Sequence, residues 1–421
     1  MNAIVSLMRE LVVVRSATAW YGHIGRDPFA RLQLAEGQRD PYRLYEEIRH
    51  RGELSRTPLV GFQTASHRLC REVLRDRRFG VQAAETAVRR GDGSMSLLEL
   101  DPPDHTRLRR LAAPAFTPRA LAGSRARIEA VVDNLLDALP REGAFDLVSG
   151  LASPLPIAVI TDLLGVPETN TAAFSRYGAT IGSALAGPRS PAHIVRLIEA
   201  NRQLTRVMKQ VFEHHRREPA DDLICRLQSQ QPDQITSEEL GHLCTLLLLA
   251  GFETTVNLIG NTVLALLDHP EQWQAVVEDP SLAAAAVEET LRWDPPVQRT
   301  LRAPATDVVL AGTPVPRGSM VMLLLAGANR DPEAFDQPDR FDLHRTGGAE
   351  HLAFSAGVHY CLGAPLARTE AVVAVERLAQ RFPRLRRAGR LRRRAGTVIR
   401  GPAELVVGQP AVSTSTPAGA R

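Results

Sequence analysis

The sequence predicts a mainly α-helical protein with small β-sheets (an α+β fold), organised as one domain around a long central helix. Helical periodicity dominates from Asp101 onward, and its longest stretch covers residues 236–268. That stretch begins at Thr236-Ser-Glu-Glu, which is a capping signal, and ends before Pro270. Such a helix would extend on the order of 45–50 Å and cross most of the molecule. After residue 295, short apolar runs between glycine and proline turns predict strands.

The other elements follow from local periodicity and from breaker residues. Residues 80–98 have no strong period and predict a long binding loop. A hairpin is expected over residues 57–64, and strands over 308–310, 315–325 and 403–407. Helices are expected over residues 41–50, 68–77, 103–113, 119–139, 150–164, 170–186, 193–217 and 361–381. We assign residues 26–408 to one domain, 1–25 to an amphipathic extension and 409–421 to a disordered tail.

Composition narrows the function. The net charge of the 421-residue chain is only +4, so its bulk charge does not indicate a nucleic-acid partner. Its four cysteines, Cys70, Cys225, Cys244 and Cys361, are widely spaced and form no C-x-x-C pair. This spacing excludes a zinc or iron–sulfur site built from a local motif. A disulfide framework is not expected without a secretory signal, so the sequence indicates a reducing, cytoplasmic location.

The N-terminus offers no membrane-spanning candidate, because no apolar run there approaches the ~20 residues that are needed. A signal peptide is not expected either, since a clean apolar core and a small-residue cleavage site are missing. Ile4, Leu7, Met8, Leu11 and Val12 fall on one helical face. The segment is therefore an amphipathic helix that either docks on the protein or lies on a membrane surface. Docking is the preferred interpretation.

The segment with the strongest chemical signal is Phe354-Ser-Ala-Gly-Val-His-Tyr-Cys361-Leu-Gly363. A helix after Cys361 would give its sulfur amide donors and a positive dipole end, and both stabilise a thiolate. Gly357 would let the backbone pass close to a flat ligand because it has no Cβ. A lone cysteine is by default a small buried hydrophobe. The surrounding pattern instead favours a ligand role for Cys361.

Three further segments carry chemical side chains. In Ala250-Gly251-Phe252-Glu253-Thr254-Thr255, threonine can bond back to an earlier carbonyl and invite a local bulge. In the segment from Asp101 to Arg110, His105 and Arg109 lie one turn apart and suit two carboxylate oxygens. Glu289-Thr-Leu-Arg292 places a carboxylate and a guanidinium on one helical face. Each segment also has an ordinary interpretation. The first could be a core helix with an exposed Glu253, the second a solvated basic face, and the third a surface ion pair.

Together these segments resemble the cytochrome P450 family, in the order of that family, from about residue 40 to residue 408. The cysteine segment resembles the family's ligand loop, written Phe-Gly-x-Gly-x-His-x-Cys-x-Gly. Ser355 departs from this pattern, since it stands where the family usually has glycine. We expect the loop to survive this change, with altered hydrogen bonding near the sulfur. The resemblance implies a cytochrome P450 domain over residues 26–408, with its long helix over a haem.

The resemblance also implies roles for individual residues. Cys361 would bind the iron of haem b, and Glu253 and Thr254 would deliver protons to oxygen as the catalytic pair. Haem contacts are implied for His105, Arg109, Ala250, Arg302, Phe354, Gly357, His359 and Gly363. A buried structural cluster is implied for Glu289, Arg292 and Arg340, the last within Pro338-Asp-Arg340-Phe341. Arg107 and Arg110 would lie on the surface where an acidic electron donor docks.

The substrate pocket is placed by the same resemblance. Its walls would come from the 81–98 loop, the breaker at 187–191, and Leu246, Leu249, Pro296, Val297, Gln298, Val398 and Ile399. Most of these positions are apolar, which indicates a hydrophobic small molecule of the kinds found in secondary metabolism.

The implied function is a monooxygenase that inserts one atom of O₂ into its substrate by hydroxylation or epoxidation. The chain has no glycine-rich dinucleotide motif, so electrons would come from NAD(P)H through a separate ferredoxin and its reductase. The protein is expected to be a monomer. Two alternatives remain open: a peroxide-driven or isomerising haem-thiolate enzyme, and a non-catalytic haem sensor.

Other features are expected to have no chemical role. Seven arginines between residues 384 and 394 are interpreted as a solvated basic loop. His214 and His215 are interpreted as surface residues and not as metal ligands. Cys70, Cys225 and Cys244 are interpreted as small core residues.

Overall fold

A computed structural model describes the backbone of residues 2–81, 97–167, 173, 176–177, 180, 190–231 and 233–410. Most of these residues are helical, as the sequence predicts. The α-helices are α1 (Asn2–His23), α2 (Pro28–Leu32), α3 (Ala35–Arg39), α4 (Tyr42–Arg49), α5 (His67–Arg75), α6 (Asp104–Ala112), α7 (Pro118–Leu121), α8 (Ser124–Asp137), α9 (Pro154–Leu164), α10 (Pro191–Arg217), α11 (Leu223–Gln228), α12 (Ser237–Asp268), α13 (Pro270–Glu278), α14 (Ala283–Trp293), α15 (Leu325–Ala328) and α16 (Ala364–Arg381).

The strands are short and form small sheets beside the helices. They are β1 (Ser55–Thr57), β2 (Gly61–Thr64), β3 (Phe79–Gly80), β4 (Gly143–Asp146), β5 (Thr300–Pro304), β6 (Val308–Leu310), β7 (Thr313–Val315), β8 (Met320–Leu323), β9 (Arg386–Arg387), β10 (Arg392–Arg393), β11 (Pro402–Glu404) and β12 (Val406–Gln409). The largest sheet has the order β1-β2-β8-β5-β3, in which β2 and β8 are parallel with Gly61 opposite Met320. β4, β12 and β9 form a second sheet, while β6-β7 and β10-β11 are two-stranded. The fold class predicted from the sequence is thus confirmed.

The long helix α12 is the centre of the main hydrophobic core. It begins with the predicted capping box, in which Thr236 and Glu239 exchange side-chain and backbone hydrogen bonds. From Phe252 to Leu266 nearly every residue is buried, and α12 packs against α9, α14 and α16. Among the described helices, α12 alone is long and apolar enough to cross a membrane, but 67% of its most apolar window is buried inside the protein. Its apolar character therefore reflects a core helix.

Several predicted elements have different bounds in the structure; the strand expected over 403–407, for example, is divided between β11 and β12. The helix expected over 119–139 is divided at Gly123, because Thr117 caps a separate short helix before it. The apolar run 315–325 turns at Gly318, whose φ is +75°, so it supplies the end of β7, then β8 and the start of α15. The helix expected from residue 361 begins only at Ala364, after a turn that positions Cys361.

The N-terminal helix α1 docks less than the sequence suggested. Among its described side chains, Thr18 and Gly22 are buried, and a Cβ on Gly22 would lie 2.7 Å from the Leu34 side chain. Val12 and Trp20 are 63% and 60% exposed. Docking is therefore confined to the last turns of this described part.

Several predicted segments lie largely or wholly outside the described residues. These are the binding loop over 82–96, most of the helix over 170–186, the breaker up to residue 189, and the tail from residue 411. The first tail residue, Gln409, instead ends β12, where it pairs with Gly143.

Candidate active site

The loop that carries Cys361 is a compact turn held by backbone hydrogen bonds. The Cys361 amide donates to the Phe354 carbonyl at 2.9 Å, and the Tyr360 amide donates to the Gly357 carbonyl at 3.1 Å. The loop is anchored to the core by the Leu352 amide, which donates to Asn329 Oδ1 at 2.7 Å. These bonds fix the position of the sulfur before α16 begins.

The Cys361 sulfur has the donors that the sequence predicts. Burial raises the pKa of the Cys361 thiol, while the backbone N–H groups of Gly363 and Ala364 oppose this by donating to the sulfur. The side chain is nevertheless accessible. Burial and accessibility agree if the sulfur opens into an enclosed space within the protein. A thiol in such a place becomes a thiolate most readily when it binds a metal ion.

Four cationic or hydrogen-bonding side chains, His105, Arg109, Arg302 and His359, lie in this part of the protein, and Asp101 is an acidic neighbour of three of them. The rings of His105 on α6 and His359 on the cysteine loop lie 4.2 Å apart between centroids. His105 Nδ1 and His359 Nε2 are buried without a hydrogen-bond partner among the described residues, although Asp101 Oδ1 is 3.5 Å from the latter. Burial and the neighbouring His359 and Arg109 lower the pKa of His105 to about 4. The four predicted carboxylate contacts are therefore short of a negative partner.

The two arginines of this set show the same deficit. Burial lowers the pKa of Arg109, which makes no hydrogen bond or ion pair with any described residue. Burial lowers the pKa of Arg302 on β5 to about 10, and its hydrogen bonds go only to Thr300 Oγ1 and the Leu301 carbonyl. Buried donors without partners cost about 1–3 kcal/mol each. The arrangement fits a ligand with carboxylates near a cysteine, as a haem with two propionates would supply.

Two residues of the cysteine loop have left-handed backbone conformations. Gly357 has φ +68°, and a Cβ there would lie 2.2 Å from the Leu74 carbonyl oxygen, so only glycine fits. Ser355 has φ +65°, and its buried hydroxyl has no hydrogen-bond partner among the described residues. The loop survives the departure from the family pattern, as expected, but Ser355 adopts a conformation that glycine would adopt without strain.

Replacement of Ser355 by glycine is expected to stabilise the protein by about 1 kcal/mol, because a left-handed non-glycine residue is strained by roughly that amount. Urea unfolding of the haem-loaded protein measures this change. Ser355→Ala is the matched control, since it removes the hydroxyl but keeps Cβ. If Ser355→Ala stabilises as much as Ser355→Gly, the cost lies in the unpartnered hydroxyl and the backbone explanation is wrong.

A stripe of partly exposed residues on α12 lies among buried neighbours. Leu246, Leu249, Ala250 and Thr254 are half-buried, whereas Leu247, Leu248 and Phe252 are buried. Positions 246, 250 and 254 share one helical face. Thr254 Oγ1 donates to the Ala250 carbonyl at 2.7 Å, which is the predicted back-bond. The expected bulge is absent, because the segment is α-helical throughout.

Glu253 lies on α12 but is buried, with 4% exposure, so the alternative of an exposed Glu253 is wrong. Arg394 Nη1 lies 3.0 Å from Glu253 Oε1. The segment that carries Arg394 is fixed to the helix nearby, since Gly401 accepts from the Arg394 amide and packs against Asn257. The arginine-rich segment is therefore not simply solvated: besides Arg394, ion pairs are formed by Arg387 with Asp268, Arg392 with Glu404 and Arg393 with Asp294.

The structure brings two predicted pocket segments together. Val297 and Ile399 form an isolated antiparallel bridge, and the Gln298 amide donates to the Val398 carbonyl at 2.9 Å. The Arg400 amide donates to the Pro296 carbonyl at 2.8 Å. The Gln298 side chain, however, bonds to Tyr45 and to the Pro295 carbonyl, so a pocket role for this side chain is wrong.

The buried Glu–Arg–Arg cluster is present, but its third member is Arg345 and not Arg340. Glu289 and Arg292 form two hydrogen bonds of 2.8 Å, and Arg345 Nε lies 3.1 Å from Glu289 Oε1. The Arg340 side chain is 63% exposed and lies near Asp342. Only the Arg340 carbonyl contributes, by accepting from Arg292 and Arg345. No local feature of the sequence indicated Arg345 as the third member. Which arginine reaches Glu289 depends on how the loop of residues 336–345 folds around that carboxylate.

Arg107, predicted as a free basic residue, is engaged by acidic partners. Its Nη2 lies 2.5 Å from Glu239 Oε1 and 3.2 Å from Asp104 Oδ1. This pairing connects α6 to the start of α12. Arg110 is exposed, as predicted.

The sequence did not predict the support behind the cysteine loop. Arg368 on α16 lies over the Phe354 ring, 4.5 Å from its centroid. Its Nε donates to Glu288 Oε1 at 2.5 Å, and His351 Nε2 is 3.1 Å from Glu288 Oε2. Burial would raise the pKa of Glu288, but the hydrogen bonds from His351 and Arg368 outweigh it and lower the pKa to about 2. Glu288 thus supports the cysteine loop from α14.

Because the pKa of Glu288 falls from 4.5 to about 2 on folding, its contribution to stability is present above pH 4.5 and is lost as the pH falls toward 2. Since the Glu288 side chain is half-exposed, we expect Glu288→Gln to lower the free energy of unfolding at pH 7 by only about 1 kcal/mol. The difference from the unsubstituted protein should shrink below pH 4.5. Thermal unfolding across pH 7 to 3 measures this, with exposed Glu271→Gln as the control. A difference that is constant with pH would contradict the assignment.

Comparison with known proteins agrees with this geometry. The Cytochrome P450 family model matches residues 191–386. Cytochrome P450 monooxygenase PikC of Streptomyces venezuelae is 40% identical over 365 residues, which are 82% of this chain and 85% of PikC. Erythromycin C-12 hydroxylase of Saccharopolyspora erythraea is 42% identical over 68% of this chain and 73% of its own length.

The fold is shared with solved structures as well. The ligand-free crystal structure of Mycobacterium smegmatis CYP164A2 has a TM-score of 0.84 and 39% identity, covering 90% of this chain and 99% of that one. Likeness of this extent in sequence and in structure shows common ancestry and a common reaction class. The chain belongs to the cytochrome P450 family and is a haem monooxygenase.

Proposed function

We propose that this enzyme inserts one oxygen atom of O₂ into a hydrophobic small organic molecule, by hydroxylation or epoxidation, with electrons from a separate ferredoxin and its NAD(P)H-dependent reductase. Family membership makes haem b and O₂ its cofactors, with NAD(P)H acting through redox partners. Bound haem supplies the oxygen-activating chemistry, and the Cys361 thiolate donates the electron density that favours O–O cleavage.

The stripe of partly exposed residues on α12 is the observation that carries the substrate proposal. Leu246, Leu249 and Ala250 leave apolar surface uncovered on the long core helix α12. Exposed apolar surface in an interior groove favours a hydrophobic ligand and excludes water from the reaction. Erythromycin C-12 hydroxylase, a relative at 42% identity, acts by hydroxylation, and this supports the proposed reaction.

Thr254 and Glu253 are proposed to deliver protons. The Thr254 hydroxyl gives its own hydrogen to the Ala250 carbonyl, so its oxygen lone pairs remain to hold a proton or water on the groove side. Glu253 is the adjacent carboxylate, and it forms an ion pair with Arg394. Both residues act as proton carriers next to the groove.

Electron entry is proposed at the outer side of the cysteine loop. Val358, three residues before Cys361, is 41% exposed, and Gly357 packs against Leu74 and Arg75 of α5. Arg71 and Arg75 on α5 and Arg110 on α6 are exposed. A basic surface so close to the cysteine suits an acidic ferredoxin.

The proposal is tested by a compound screen followed by turnover. Displacement of the water ligand from the haem-loaded enzyme selects bound compounds, which are then incubated with a surrogate ferredoxin, its reductase, NADPH and ¹⁸O₂. We expect an oxygenated product that carries ¹⁸O and whose formation requires all three redox components. Product formed equally well with peroxide alone, or without oxygen from O₂, would overturn the proposal.

Thr254→Ala is expected to separate NADPH consumption from product formation. Without the hydroxyl, protons are not held in place and reducing equivalents leave as hydrogen peroxide; we expect product per NADPH to fall roughly tenfold. The measurement compares NADPH oxidised, peroxide released and product formed. Thr255→Val is the control, since Thr255 is buried and outside the stripe. Unchanged coupling in Thr254→Ala would contradict the role of Thr254.

A further inference from the structure

A second group of chemical side chains lies at the junction of α10 and α11. His215 is in the last turn of α10, and Asp222 and Cys225 begin α11. The possible ligand atoms of these three residues all lie within 4.8 Å of one another. The prediction of a surface His215 was wrong, since its exposure is 3%. Its burial follows from helical spacing with Met208 and Val211, both buried on the same face of α10.

The hydrogen bonds of His215 determine which nitrogen is free. Nδ1 lies 2.8 Å from the Val211 carbonyl oxygen, which can only accept, so the proton is on Nδ1. In the neutral ring, Nε2 then has no hydrogen and carries a lone pair. Yet Nε2 lies 2.9 Å from Asp222 Oδ2, and an ionised carboxylate also only accepts. Two lone pairs at this distance require a positive group between them, either a proton or a metal ion.

Cys225 adds a third ligand atom and favours the metal ion. Its Sγ accepts from the Ala220 amide at 3.2 Å, so the sulfur already serves as an acceptor, as a metal-bound thiolate would. The Cys225 amide donates to Asp222 Oδ1 at 2.8 Å, which orients the carboxylate and leaves Oδ2 for the shared position. A proton shared between His215 and Asp222 would not need the sulfur.

We propose that His215 Nε2, Asp222 Oδ2 and Cys225 Sγ bind a divalent cation of the Zn²⁺ class, with water as the fourth ligand. Mixed nitrogen, oxygen and sulfur ligands select Zn²⁺ over Mg²⁺ or Ca²⁺. The Val211 carbonyl on Nδ1 is the kind of partner that orients zinc-bound histidines. Asp222 and Cys225 are half-buried, which leaves room for water.

The nitrogen–oxygen pair of the proposed site requires only a small adjustment. Tetrahedral Zn²⁺ with nitrogen and oxygen bonds of about 2.0–2.1 Å separates those ligand atoms by about 3.3 Å, so the pair at 2.9 Å must open by a few tenths of an ångström. Rotation of the Asp222 side chain supplies this. The bound ion would fix the end of α10 to the start of α11 across the exposed residues 216–221.

The test uses the haem-loaded protein after removal of loosely bound metal with a chelator. Titration with ZnCl₂ is followed by calorimetry, and X-ray absorption at the zinc edge reports the ligands. We expect one Zn²⁺ per chain, with one sulfur at about 2.3 Å, and a higher thermal midpoint with zinc. Cys225→Ser should weaken binding by about 100-fold or more, because loss of a direct ligand costs at least as much as loss of the groups that orient ligands.

Two further variants keep the result interpretable. His215→Gln can still donate to Asp222 and so preserves folding, but it removes the nitrogen ligand and should abolish binding. His214→Gln, at the neighbouring histidine, should bind as the unsubstituted protein does. The carbon monoxide spectrum of each variant reports an intact haem site. Failure to bind at micromolar ZnCl₂, or binding that Cys225→Ser and His215→Gln leave unchanged, overturns the proposal in favour of a protonated His215.

Discussion

Replacement of Cys361 by alanine should abolish the red-shifted Soret band that reduced, carbon monoxide-treated haem-thiolate proteins show. Monooxygenase turnover should fall by roughly three orders of magnitude or more, since the anionic donor that favours O–O cleavage is lost. Without the sulfur, the amides of Gly363 and Ala364 would lose their acceptor and the haem its protein ligand. Retention of haem should therefore weaken as well. The difference spectrum of the reduced protein with and without carbon monoxide, together with product analysis, measures both effects.

Cys244→Ala provides the matched control for this experiment. Cys244 is fully buried on α12, and burial raises the pKa of its thiol to about 12, so it remains a neutral thiol. Its replacement should preserve the spectrum and turnover, at a cost in stability from the small cavity. A red-shifted band in Cys361→Ala would disprove the assignment of the iron ligand.

Arg292→Ala should be among the most destabilising single replacements in the protein. Arg292 is 3% exposed, donates twice to Glu289, and also bonds to the carbonyls of Asn329, Pro338 and Arg340. Its removal leaves the buried Glu289 carboxylate with Arg345 and the Asp342 amide as its described partners, and it takes this donor away from three carbonyls. Breaking a buried ion pair on one side costs about 3–5 kcal/mol. Urea unfolding and haem content after purification measure the loss.

Variants at the two candidate third members test the corrected cluster directly. Arg345→Ala should cost about 1–3 kcal/mol, because it removes a charge-assisted bond to Glu289. Arg340→Ala should stay within about 0.5 kcal/mol, since its side chain is largely exposed. The opposite order of these two effects would restore the assignment made from the sequence.

Local signals in the sequence were sufficient for most of the helices, whereas the roles of the residues around Cys361 came from the resemblance to the family. The Thr236 cap, the apolar periodicity of 236–268 and the spacing of His105 and Arg109 depend on neighbours within one or two turns, and the structure shows each as expected. The bounds failed where a turn or a cap intervened, at Gly123 and at Ala364, because single residues there outweigh periodicity.

The sequence by itself determined the helical class and the long central helix, because these follow from short-range patterns, and the resemblance to the family implied the cysteine loop and its chemical neighbours. Only the tertiary structure decided which distant groups become partners: Arg345 instead of Arg340 for Glu289, Arg394 for Glu253, and Asp222 for the buried His215. It also showed that Ser355 is left-handed. An ion pair between distant segments depends on how loops fold over a buried charge. The cost of desolvating that charge is set by the tertiary structure, so the spacing of residues along the sequence does not reveal it.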